Sequence, residues 1–209
     1  YITYDVYVIP GLIGMIQLFN GMQNSLSMVY DREMGSMRVL LATPLPRGYL
    51  LTARMLSGTA VSIIQVYAFL AIAALCGTEV PLEGLLPLLP VLVVTGLTLS
   101  ALGMFFSSWI RQLENFAGVM NFVIFPMFFM SSALYPLWRV REGSVLLYEL
   151  CRFNPFTYVV ELVRSSLYLQ FNGTALAVVA GTLLVFGSAA IIGYRPQRGG
   201  PAAARGGGG

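Results

Sequence analysis

Apolar residues run almost unbroken over five stretches of the chain, and polar residues collect in the intervals between them. The stretches are about Val6 to Tyr30, Met55 to Gly77, Leu85 to Trp109, Asn115 to Leu137 and Thr174 to Tyr194. A bilayer's hydrocarbon core takes roughly 20 apolar residues per helix, so each stretch predicts one transmembrane helix. A barrel would alternate apolar and polar residues over short strands, which these long continuous runs do not do. The expected fold is all-α and polytopic.

The polar residues inside the spans fall in helical register. Gln17, Asn20 and Asn24 share a face of span one, and Gly58, Ser62 and Gln65 do the same in span two. Gly96, Ser100 and Gly103 form a small-residue stripe in span three, and Asn115, Gly118 and Asn121 recur every three residues in span four. Two readings stand. Small residues let helices approach and amides bond across them, or the same faces line a passage. Both readings put the stripes inside a bundle. In span four, Pro126 removes a backbone donor among Phe and Met side chains and predicts a kink. The adaptable apolar surface around it is either ordinary packing or a sliding surface for an amphiphile.

Composition agrees with a lipid environment. The 209 residues are 57% hydrophobic and 10% charged, where soluble domains carry about 25% charged residues. The 12 basic residues are all Arg and lie between spans, so the net charge of +3 is not a nucleic-acid footprint. Arg32, Arg38, Arg47 and Arg54 follow span one, Arg111 follows span three, and Arg195, Arg198 and Arg205 follow span five. The positive-inside rule places these connections in the cytoplasm. Arg139, Arg141, Arg152 and Arg164 argue the other way, offset in part by Glu142, Glu149 and Glu161. Residues 196–209, rich in Gly, Ala and Arg, read as a disordered tail. The chain opens on Tyr1 without a signal peptide ahead of span one, which reads as a chain whose start lies upstream.

Chemistry narrows the function. With no His there is no His-based triad or H-E-x-x-H zinc site. All nine acidic residues fall at span ends or in connections. Ion-coupled transporters usually carry a titratable group near the midplane, so another energy source is expected. There is no G-x-x-x-x-G-K-[ST] loop, hence no ATP site of the usual kind. A membrane enzyme and an ion-coupled transporter are both disfavoured. A non-transporting membrane scaffold would keep the packing stripes and remains the rival to a transporter.

One connection is more specific. Tyr30-Asp31-Arg32-Glu33-Met34-Gly35-Ser36-Met37-Arg38-Val39-Leu40-Leu41-Ala42-Thr43-Pro44-Leu45-Pro46-Arg47 closely resembles the D-R-E-x-G-[ST]-x-x-x-L-L-x-[ST]-P-x-x-R pattern of ABC-2 type permeases. The stretch from Glu114 to Leu137 looks like the fifth helix of that family. The branch most resembled holds drug-resistance and lipo-oligosaccharide exporters and permeases linked to alcohol oxidation. The resemblance implies six membrane helices, of which the five spans are the second to sixth, and a transmembrane domain over residues 1–195. It implies a multi-pass protein of the bacterial inner membrane. Two permease halves pair there, identical or not, each with a cytoplasmic ABC ATPase that binds the ATP and Mg. The chain itself is expected to hold no cofactor or metal.

Within the connection, Asp31 reads as an N-cap with Glu33 in the first turn of a helix over about Arg32 to Ala42, stopped by Pro44 and Pro46. The resemblance makes this a coupling helix seated on the ATPase. Asp31, Arg32, Glu33, Gly35, Arg38, Leu41, Pro44 and Arg47 are its candidate residues. The arginines would also suit anchoring at anionic headgroups. Translocation-path candidates are Gln17, Asn20, Asn24, Asn115, Asn121 and Pro126. Between the last two spans, Phe156, Val159, Val160, Val163 and Leu167 share a helical face, which predicts an amphipathic helix at the membrane interface. Tyr135, Trp138, Tyr148 and Tyr158 suit the aromatic belt. Cys76 and Cys151 both fall at the predicted outer face, where an oxidising periplasm would permit a bridge; unpaired thiols are the other reading.

Overall fold

A computed structural model describes residues 4–34, 46–110 and 112–193. Those residues fold into α-helices and short turns, with no strand among them. The helices are α1 (Tyr4–Glu33), α2 (Arg47–Leu75), α3 (Leu85–Trp109), α4 (Leu113–Phe129), α5 (Leu137–Gly143), α6 (Val145–Phe153), α7 (Pro155–Leu167) and α8 (Gly173–Gly193). A 3-10 turn, Leu82–Gly84, leads into α3. By length and apolarity Gly48–Leu75, Leu82–Trp109 and Gly173–Gly193 are fit to cross a membrane. The 30-residue α1 has the length, but Gln17, Asn20, Gln23 and Asn24 interrupt its apolar run. The apolar α4 is shorter, at 17 residues. The fold is that of an all-α polytopic membrane protein.

The bundle centres on α3, which packs against α1, α2, α7 and α8. Contacts along α1 and α3 advance in parallel steps of one turn. Gln17 meets Thr95, Gly21 meets Leu99, Ser25 meets Gly103, and Met28 meets Ser107. Residues four apart share a helix face, so both stripes lie in one seam. Gly103 makes the approach possible: a Cβ there would lie 2.7 Å from the Gly21 carbonyl oxygen and against Ser25 Oγ. Helix α8 runs parallel to α3, with Thr98 facing Val179 and Ser108 facing Ala190. Helix α2 is antiparallel to α1, placing Val66 and Leu70 with Ile9 and Ile13.

Several expected boundaries shift. The second span starts at Arg47, eight residues before Met55, because Thr52 and Arg54 are accommodated in helical backbone. Span four ends at Phe129, not Leu137. Its last carbonyls are taken by side chains: Asn154 Nδ2 donates to Met127 O at 2.7 Å and Met130 O at 2.8 Å, and Ser131 Oγ to Phe128 O. Pro126 is accommodated inside the helix, one turn from its end.

The largest correction concerns α7. Its apolar face does not lie on the membrane interface. Phe156, Val159, Val160, Val163 and Leu167 are all buried against α1, α3 and α8. Helical periodicity reports that a face is covered, not what covers it. Gly84 marks how tightly this end closes, since a Cβ there would overlap the Leu167 carbonyl. The short α6 instead exposes Leu146, Leu150 and Phe153.

Candidate functional site

Two regions carry the sequence's candidate residues: the inner seam between α1 and α2, and the outward face of α4.

The seam begins at the end of α1. Asp31 is not an N-cap but lies in the last turn of α1, where its carboxylate pairs with Arg54 of α2. Arg54 also donates to Ser27 Oγ at 3.0 Å. An acid at a helix C-terminus opposes the backbone dipole, and the guanidinium offsets it. Both side chains are one-quarter exposed, 25% each. Further along, Asn24 Nδ2 donates to the Arg54 carbonyl at 2.6 Å, filling the space left by Gly58. Asn20 Nδ2 donates to Gln65 Oε1 at 2.7 Å, on the exposed side. Gln17 is fully inside: its Nε2 donates to Leu92 O at 2.9 Å and its Oε1 accepts from Thr95 Oγ1 at 2.7 Å.

The stripe on α1 therefore splits. Gln17 and Asn24 spend their amides on interhelical bonds, the packing use of such residues. Asn20 and Gln65 meet where the seam opens, beside the exposed Gln23 and Ser27.

The α4 stripe departs from expectation. Asn115, Gly118 and Asn121 do not face the inside of this chain's bundle; all three are exposed. A Cβ on Gly118 would meet nothing within 4 Å. Among the described residues Asn115 reaches only Gln112, at 2.7 Å. Phe122, Phe125, Pro126 and Phe129 continue the same exposed face. The opposite face, with Ile124 and Phe128, packs on Leu18, Met22 and Phe156. Amides turned outward on a membrane helix are costly in lipid, so this face calls for a polar or protein neighbour.

Of the connection's other candidates, Arg32 and Glu33 belong by backbone to α1 and Arg47 to α2. Gly35, Arg38, Leu41 and Pro44 lie outside the described residues, as do Arg111 and the tail. Of the expected helix over 32–42 only Arg32, Glu33 and Met34 are therefore described: the first two continue α1, and Met34 is a turn that closes it, its N–H donating to Tyr30 O.

Sequence reasoning passed over two groups. Asn154 joins α4 to α7: besides the two bonds above, its Oδ1 accepts from Phe156 N at 3.0 Å. An Asn before Pro155 and an apolar run was its signal, an N-cap with Pro at N1. The second group gathers around Arg164. Its Nη1 bonds Glu161 Oε1 at 2.6 Å, its Nη2 donates to Ser132 O at 2.9 Å, and its guanidinium lies 4.1 Å from the Tyr7 ring centre. Tyr7 itself donates to Ser132 O at 2.9 Å, and Tyr168 to Val6 O at 3.2 Å. Burial pushes the Tyr168 phenol up, against the pull of Arg164.

Both cysteines are free; Cys76 is exposed after α2 and Cys151 is buried in α6, where burial pushes its thiol up. No group of three or more His, Cys, Asp or Glu among the described residues is placed to hold a metal.

The profile of the ABC-2 type transporter family matches residues 2–168. The probable multidrug ABC transporter permease YbhR of Escherichia coli is 29% identical over 172 residues, 81% of this chain and 45% of its own. Nodulation protein J of Rhizobium leguminosarum bv. viciae is 25% identical over 179 residues, 81% of this chain and 64% of its own. The putative transport permease ycf38 of Porphyra purpurea is 29% identical over 167 residues, 78% of this chain and 55% of its own. The chain spans about half the length of the curated relatives it matches.

Proposed function

This chain belongs to the ABC-2 type transporter family, and on that premise we propose that it is the membrane-spanning permease part of an ATP-driven exporter. It works with a cytoplasmic ABC ATPase, which binds the ATP and Mg, and with a second permease copy, in the bacterial plasma membrane. The observation that carries this reading is the family match across 2–168. The placement of charge supports it. Every described carboxylate lies at a helix end, in a connection or in the short α5–α7 segment, and Asp31 is paired. A bundle without a titratable midplane group draws its driving force from elsewhere.

In this reading the connection between α1 and α2 receives the ATPase, with Arg38 and Arg47 facing it. Arg54 ties both flanking helices together, so a push on the connection tilts α1 and α2 jointly. The second copy covers the exposed face of α4. The path runs along that face and the open side of α1, with Asn20, Asn115 and Asn121 as its polar marks and Phe122, Phe125 and Phe129 as its apolar surface. Such a mixed lining suits a hydrophobic or amphiphilic cargo: a drug-like molecule, a lipid or a glycolipid.

The test is co-purification of the full-length permease with its ATPase, wild type against an Arg38→Glu, Arg47→Glu double variant. Loss of the ATPase in the variant alone supports docking at the connection. A folded wild-type permease that never retains an ATPase sinks the exporter reading and favours a membrane scaffold. Unchanged export by Asn20→Leu and Asn121→Leu would remove those residues from the path.

A further inference from the structure

At the end of the bundle opposite the Asp31–Arg54 pair, a cavity of about 320 Å³ opens between the C-terminal turn of α7 and the start of α8. Its volume sits at the lower end of small-molecule sites, which run from about 300 to 1,000 Å³. Glu161 and Arg164 form one wall, and Gln170, Phe171, Gly173 and Thr174 the other. The arginine side chain is only 16% exposed and the glutamate 30%. Neither charge is incidental to the fold's surface. The Tyr7 ring and the Ser132 carbonyl fix the guanidinium plane from behind.

The wall offers more hydrogen-bonding capacity than the protein uses. Arg164 has five donors and gives one to Glu161 and one to Ser132 O. Its Nε is buried and has no partner among the described residues, and each Nη keeps one further N–H for the cavity. Glu161 accepts through Oε1 alone. At the start of α8, Asn172 occupies the N–H groups of Ala175 and Leu176. The N–H groups of Gly173 and Thr174 keep none among the described residues. These two donors carry the positive end of a 21-residue helix. Spare donors thus gather at α8 and Arg164, and a spare carboxylate oxygen lies beside them. Donors and an acceptor set side by side in this way match a ligand that carries an anionic and a cationic group together.

We propose that this cavity binds the headgroup of a zwitterionic aminophospholipid. The phosphate lies against the Gly173 and Thr174 N–H groups and Arg164, and the primary ammonium donates to Glu161. By the arginine distribution this end faces the outer leaflet. Phe171, 87% exposed, stands at the mouth where the acyl chains leave. The net charge of the Glu161–Arg164 pair selects a neutral headgroup over an anionic one. Glu161 selects a primary amine, which has N–H donors, over a quaternary one, which has none. The site is independent of the exporter reading, because its occupancy needs neither ATP nor a moving cargo.

The test uses the full-length permease in nanodiscs of phosphatidylethanolamine, phosphatidylcholine or phosphatidylglycerol with the same acyl chains. Lipid retained after detergent extraction is counted by native mass spectrometry. Wild type retains phosphatidylethanolamine roughly tenfold over phosphatidylcholine, a difference of about 1.4 kcal/mol. Glu161→Gln abolishes that preference. Gly173→Pro is tolerated at a helix's first position, removes one phosphate donor, and lowers retention of both lipids while leaving the preference. Soluble phosphoethanolamine displaces the bound lipid, and phosphocholine does not. Equal retention of the two zwitterionic lipids overturns the proposal, as does preference for phosphatidylglycerol. Retention no greater than bulk leaves the cavity to water and also overturns it. Binding of soluble phosphoethanolamine without lipid retention reassigns the site to a free ligand and overturns the lipid source.

Discussion

Asn154 is the residue whose replacement the fold should feel most for its size. One side chain closes two helices. Its amide nitrogen donates to Met127 O and Met130 O at the end of α4, and its oxygen accepts from Phe156 N at the start of α7. Asn154→Ala removes the N-cap of α7, worth ~0.5–2 kcal/mol. It also leaves two half-buried carbonyls without a donor, each costing ~1 kcal/mol or more. Together the loss is about 3 kcal/mol. At ~2–4 °C per kcal/mol for a chain of this size, the midpoint falls by about 6 °C or more. Asn154→Asp separates the two halves. It keeps the acceptor for Phe156 N but has no donor for the α4 carbonyls and turns a negative charge on them. It should fall at least as far as Asn154→Ala. The assay is fluorescence-detected gel filtration after heating in detergent, at one fixed heating time because unfolding of such proteins is irreversible. Alanine and aspartate variants both within about 1 °C of wild type would refute the double cap. An aspartate variant behaving as wild type would refute its α4 half.

Three further outcomes are expected. Gly103→Val drives a branched side chain at the Gly21 carbonyl and Ser25, which backbone cannot yield. It should cost ~1–3 kcal/mol or more, read as a lowered midpoint or lost expression, whereas unchanged stability would mean α1 and α3 are not in close contact. Asp31→Asn and Arg54→Gln should each cost little, and a double-mutant cycle should return a coupling of ~0.2–1 kcal/mol, in keeping with a partly exposed pair; zero coupling would deny the ion pair. A membrane-impermeant maleimide applied from outside should label Cys76 and spare Cys151 until denaturation. Cys151 is buried and its raised thiol pKa starves it of thiolate. Labelling of Cys76 only after permeabilisation would invert the orientation.

How much of this was legible in the sequence depends on what each signal encodes. Helices α3 and α8 appear within a residue of expectation because their apolar runs are uninterrupted and their polar neighbours abrupt. The start of α2 was missed because Thr52 and Arg54 look like loop residues until their partners are known. The end of α4 was missed for the same reason, since the donor that stops it, Asn154, stands 24 residues from Met130. The stripes of α1 and α3 were visible as stripes. That they meet in one parallel seam, turn for turn, required knowing which helices adjoin. The α4 stripe looked the same in sequence yet faces outward, and the amphipathic α7 faces inward. Periodicity gives a face and never its neighbour. Asp31 reads as a helix start because local rules favour it there; the structure has it in the final turn of α1, where its partner, Arg54, stands 23 residues away and is invisible to local rules.

The tie that Arg54 makes has a mechanical consequence. A connection between two helices ordinarily acts as a soft spring: its ends slide independently, and a load on it is lost in bending. Here a single guanidinium grips Ser27 and Asp31 on one side while rooted in α2, with Asn24 reaching back to the same residue's carbonyl. The two shafts are clamped just above the connection. In the proposed exporter a load applied there would be shared between both helices through these bonds, so that α1 and α2 turn together as one crank instead of sliding past each other.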